Sequence, residues 1–147
     1  MDEINYRQTY ERINNAPCAF EKGILSLKCK CSYQHLFNLA DRHGVGCIDS
    51  AKQQTCTTFL NYLRQQTRFL FKIAIDGPLP HNKEIKVQNG GIQGLQKLLM
   101  NDECVSDIAN ILQQSTTLYG SIEKIPYSLI MPSVNHYKTR PKRQRRQ

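Results

Sequence analysis

The sequence predicts an all-α domain built around one long central helix, with one candidate short strand near 83–88 and a disordered basic C-terminal tail. Three observations lead there. Between residues 51 and 75 the apolar residues Phe59, Leu60, Leu63, Leu70, Phe71 and Ala74 recur at steps that place them on one helical face. Capping and breaking residues punctuate the rest of the chain at helix-length intervals. Charge is uneven as well: residues 138–147 hold six Lys or Arg and no acid. The formal +8 therefore belongs largely to the tail, because residues 1–137 set 14 basic against 12 acidic side chains.

Residues 2–14 form the first expected helix, capped by Asp2 and striped by Ile4, Tyr6, Tyr10 and Ile13. Pro17 suits the first position of a second helix, from Cys18 to about Leu27. Lys28-Cys29-Lys30-Cys31 is a turn. A third helix is expected from Tyr33 to about Arg42, with Leu36, Phe37, Leu39 and Ala40 as its apolar positions, broken by His43-Gly44-Val45-Gly46. Asp49 or Ser50 caps the long helix, Ala51 to about Ile75, which Asp76-Gly77-Pro78 ends. Ile85 and Val87 are the candidate strand in an extended stretch from Pro78 to Asn89. Helices follow from Gly90 to about Met100, from about Glu103 to Gln114, and from Ser121 to His136, the last bent or split at Pro126 and Pro132.

A chain of 147 residues makes one domain, 1–137, the default, followed by the tail at 138–147. No run is long or apolar enough to span a bilayer, so no membrane partner is expected; the best, Phe69 to Ile75, is short and interrupted by Lys72. The first residues lack the basic and apolar regions of a secretory signal, which makes a reducing cytoplasm the expected location. There, clustered cysteines bind metal or do redox chemistry more often than they form structural disulfides.

Five of the six cysteines fall between residues 18 and 56 as C-x10-C-x-C-x15-C-x8-C. Cys18, Cys29, Cys31, Cys47 and Cys56 are the candidate metal ligands, four of them sufficing. Lys28 and Lys30 flank the C-x-C pair and offset thiolate charge. No C-x2-C knuckle of the kind structural zinc favours is present, and isolated thiols from separate segments suit the spread ligand positions of an iron–sulfur cluster better. The spacing matches neither common ferredoxin pattern, so zinc is the alternative and unligated core thiols are a third reading. His35 and His43 are candidates to replace one thiolate, and Cys104 reads as a core residue.

Gly90-Gly91-x-x-Gly94, following Lys83 and Lys86, admits two readings. One is an anion cradle at a helix start; the other is a turn followed by close helix packing. The tail residues Lys138, Arg140, Lys142, Arg143, Arg145 and Arg146 have the electrostatic footprint of a non-specific nucleic-acid contact, or of a solvated terminus. No nucleotide-loop, nucleophile-elbow or metalloprotease motif is present, and no acid pairs with a histidine beside a nucleophile. The functional expectation is a cysteine-ligated iron–sulfur accessory, electron-transfer or redox-sensing module with a protein or redox partner. The alternative is a zinc-stabilised interaction module docking through its tail.

Overall fold

Asp2 accepts from the backbone N–H of Asn5 at 2.7 Å and starts α1, Glu3–Ile13, as its position in the sequence requires. The computed structural model describes residues 2–72, 79–100 and 107–139. Among them the chain is mostly helical with one small two-stranded sheet: α2 is Glu21–Leu25, β1 Gln34–Leu39, β2 Arg42–Cys47, α3 Ser50–Phe71, α4 His81–Met100, α5 Ile108–Tyr119 and α6 Tyr127–His136. The remainder of the basic tail, from Arg140 to Arg146, lies outside the described residues, as do Ile73 to Pro78 and Cys104. No helix among the described residues is long and apolar enough to cross a membrane.

The largest correction concerns residues 33–47. Instead of a helix from Tyr33 to Arg42, the chain forms an antiparallel hairpin in which Gln34 pairs with Cys47 and Leu39 with Arg42. Ala40 makes the reversal in the left-handed region, at φ 54°. Opposite Phe37 stands Gly44, where an added Cβ would lie 2.3 Å from the phenyl ring, so glycine lets the ring lie across the strand. One face of the hairpin meets α1, with the Tyr10 and Phe37 rings 5.7 Å apart and an Arg42–Glu3 ion pair at 2.7 Å. The other face carries fully buried Val45 toward α2. With both faces partly covered, the sequence never shows the apolar–polar alternation of a half-buried strand.

A second correction falls in α4. The stretch 83–88 is not a strand but the first turns of this helix, and its buried positions include Glu84, Val87, Gln88, Gly91 and Leu95. Glu84, 1% exposed, accepts from Arg64 Nε at 3.0 Å, from the Leu79 backbone N–H at 3.1 Å and from Gln88 Nε2 at 3.0 Å. Burial alone would push its carboxyl upward; the Arg64 guanidinium and the other donors outweigh that and hold it below its ordinary range. Such a pair ties α3 to α4 and is costly to break from one side.

Nor do the glycines of α4 open a helix. They lie in its middle, and the packing half of their reading is the one observed. A Cβ on Gly90 would stand 2.7 Å from Val134 Cα, and one on Gly94 2.9 Å from Ser133 Cβ, so the pair lets the α6 backbone approach closely. Phe59 on α3 lies between the rings of Phe20 and Tyr127, at 6.1 and 5.8 Å, and joins this helical core to the cysteine-bearing segment before it. α6 begins after Pro126 and runs on through Pro132.

Candidate metal centre

Main-chain hydrogen bonds position the thiols. The segment 14–18 runs beside β2: Cys47 N–H donates to the Ala16 carbonyl at 2.7 Å and Cys18 N–H to the Val45 carbonyl at 3.0 Å, with Pro17 bridged to Gly46. Cys18 and Cys47, far apart in sequence, thus stand on neighbouring bridged segments. The turn at 31–34 closes on itself, Gln34 N–H donating to the Cys31 carbonyl at 3.2 Å while Gln34 Oε1 accepts from Cys31 N–H at 2.9 Å. It is also tied to the end of β2, because Ile48 N–H donates to the Tyr33 carbonyl at 3.0 Å. Cys56 enters from the second turn of α3, whose start is capped by Asp49. From the same helix, Gln53 Nε2 donates to the Pro17 carbonyl at 3.1 Å.

These constraints bring Cys18, Cys31, Cys47 and Cys56 around one small cavity of about 20 Å3, with Phe20, Tyr33, Lys52 and Ile108 also in its wall. That volume is on the scale of a single water-sized sphere. The sulfurs line the cavity without converging; among the described residues no group of three or more His, Cys, Asp or Glu is gathered closely enough to hold a metal ion as it stands. Cys47 Sγ, for instance, donates to the Asp49 carbonyl at 3.1 Å.

Burial pushes the Cys18 and Cys56 thiols up to about 12, and raises Cys31 too. Proximity of the other thiols adds to the rise at each. Opposing it, backbone N–H groups face two of the sulfurs: Phe20 toward Cys18, and Tyr33 and Ala109 toward Cys31. Ala109 lies in the first turn of α5, which is fastened to the cysteine loop because Ile108 N–H donates to the Lys30 carbonyl at 2.9 Å. Lys52 lowers the Cys56 thiol from one turn away on α3. Cys18, Cys31 and Cys56 are therefore held as neutral thiols at neutral pH, with amide donors and a cation already directed at the charge that deprotonation would create.

The fifth candidate is elsewhere. Cys29 is buried, its thiol also raised to about 12 by burial, but it does not line this cavity. It points at Asn89 Oδ1, 3.7 Å away on α4, and forms part of a separate open groove with Ile24, Leu25 and Leu27. His35 and His43 are exposed on the hairpin and stay out of the cavity. Lys138 is exposed just beyond α6. Lys52 and Gln53 are the residues that sequence reasoning passed over; their signal was a position one helical turn before Cys56.

No family model, no curated protein and no solved structure matches this chain.

Proposed function

We propose that this chain is an interaction module whose cysteine-bearing half is held together by one thiolate-ligated metal ion, zinc, on Cys18, Cys31, Cys47 and Cys56. The observation that carries the reading is the single cavity whose wall contains four of the five candidate thiols. A closed set of four protein ligands is the pattern of structural rather than catalytic zinc. A single ion asks for less movement of these sulfurs than the iron–sulfur cluster that spacing alone suggested, which must also seat several irons and bridging sulfides. Bound zinc would supply fixed crosslinks between segments far apart in the chain. The N–H groups of Phe20, Tyr33 and Ala109 would stabilise the thiolates and orient them. A reducing cytoplasm would keep those thiols available.

The basic tail gives such a module a second attachment. Lys138, Arg140, Lys142, Arg143, Arg145 and Arg146 would contribute salt-dependent, sequence-independent affinity for nucleic acid or another polyanion.

Metal, sulfide and visible absorption measured on anaerobically purified protein test the centre. Zinc near one per chain in a colourless sample is expected, lost in each of Cys18→Ser, Cys31→Ser, Cys47→Ser and Cys56→Ser and retained in Cys29→Ser. Iron with matching sulfide and a visible band would replace zinc by a cluster. Absence of both metals would overturn the reading.

A further inference from the structure

An apolar hollow lies on the far side of the cysteine loop, between α2 and the hairpin. It encloses about 540 Å3, and its wall includes Ile24, Leu25, Leu27, Cys29 and Leu36. Leu36 on β1 is 57% exposed and Leu27 is 90% exposed.

Leu27 is the odd residue. It sits just past the end of α2 at φ 62°, a left-handed position where glycine is usual and a branched side chain is strained. Neither burial nor backbone preference accounts for a leucine there. Residues kept in unfavourable conformations gather at functional surfaces.

β1 borders this groove and is an edge strand. Among the described residues β2 is its sole strand neighbour, while β2 is bridged by Pro17 on its other side. The edge runs Gln-His-Leu-Phe-Asn-Leu, without proline or charge to discourage pairing. Lys30 and His43 stand in the groove wall, exposed Lys28 lies beside it, and no carboxylate lines it.

We propose that the groove and the open edge of β1 take up an extended acidic peptide of a partner protein, which adds a strand to the hairpin and seats an apolar side chain between Leu27 and Leu36. Strand addition supplies affinity through the main chain, and the groove supplies selectivity. Charge selects this occupant over the alternatives. A second copy would bring two basic rims together, and the chain's own tail is itself cationic. The inference rests on the reading of the chain as an interaction module, but it uses none of the four cavity thiols.

A displayed library of ten-residue peptides, selected on the full-length, metal-assayed protein, tests it. The enriched peptides should carry net negative charge and alternating apolar residues. A synthetic peptide made from them should bind at least tenfold more weakly when proline replaces its central residue, and at least tenfold more weakly to Leu36→Glu. Leu27→Gly should weaken binding to a similar degree while raising the melting temperature, which separates a lost contact from a lost fold. Removing residues 138–147 should leave peptide binding unchanged.

Enrichment of cationic or helically spaced peptides would overturn the proposal. So would binding indifferent to Leu36→Glu, displacement by a fatty acid in place of any peptide, or a dimer that Leu36→Glu dissolves. Zinc-loaded protein that enriches nothing would defeat the docking surface and leave the metal centre standing. Enrichment on protein that holds no metal would do the reverse.

Discussion

The two halves of this molecule are held together in different ways. From α3 to α6, the helices pack on glycines set against a neighbouring backbone, on fully buried Leu63, Ile92 and Ile130, and on a buried Arg64–Glu84 pair. From α1 to β2, fewer apolar side chains are buried, Phe20, Ile24, Cys29 and Val45, and α1 has none: Ile4 and Ile13 are 70% and 51% exposed. There the order comes from main-chain bonds between extended segments and from polar ties. Tyr10 donates to Glu21 at 2.6 Å, Asn14 donates to the Val45 carbonyl at 3.2 Å, and Glu21 accepts from Val45 N–H at 2.9 Å. Hydrogen bonds of this kind contribute about 1 kcal/mol each, far less than a packed apolar layer. The thiols gather in the half that most needs a crosslink.

Metal removal should separate the halves most sharply. If the four thiols hold zinc as proposed, stripping it with a strong chelator would withdraw binding free energy on the order of 10 kcal/mol from the cysteine half. Hydrogen exchange should then show amides at 14–48 losing protection while those of α4 and α6 keep it. Equal loss in both halves would mean that they fold as one unit.

Next in size is the ion pair. Arg64→Ala should cost about 3–5 kcal/mol in urea unfolding, because it leaves the buried Glu84 carboxylate without its guanidinium. The same carboxylate sets an acid limit. Its folded pKa lies below the ordinary 4.5, so its contribution is complete above that pH and is lost as the pH falls through the lower folded value. Glu84→Gln should flatten that part of the stability–pH curve, and an unchanged acid limb would assign it to other carboxylates.

Gly90→Ala should cost about 1–3 kcal/mol, since its new methyl meets the Val134 backbone. Gly91→Ala should cost less, because the atom it meets is the movable end of the Leu63 side chain. Matching melting temperatures for the two would show that α6 can shift.

The smallest effect belongs to the cysteine half and has the opposite sign. Leu27→Gly should stabilise by about 1 kcal/mol through relief of the left-handed leucine. Calorimetry that finds it destabilising would show that Leu27 holds the α2 end in place.

Local signals located α1 and α3, because Asp2 and Asp49 cap them where capping residues are expected. They failed where residues reach across the chain. The hairpin's Leu and Ala residues favour helix locally, and the partners that make it a sheet, Gly44 for Phe37 and Pro17 for Gly46, become visible only on folding. Glu84 and Gln88 read as surface residues until Arg64, on a different helix, is seen beside them. The thiol cluster was legible as a cluster. That Cys29 faces Asn89 and not the other four was not, since a C-x-C pair places its two side chains by tertiary contacts that spacing does not encode.

All four cavity thiols precede residue 57, and Gln53, Asn14 and the hairpin that position them lie within the same stretch. A growing chain emerges from the ribosome amino end first, at roughly 5–20 residues per second. The cysteine half therefore leaves the ribosome whole before α5 and α6 have followed it. For those seconds its thiols stand without the shelter of Ile108 and the start of α5, open to capture by whichever ion or oxidant arrives first.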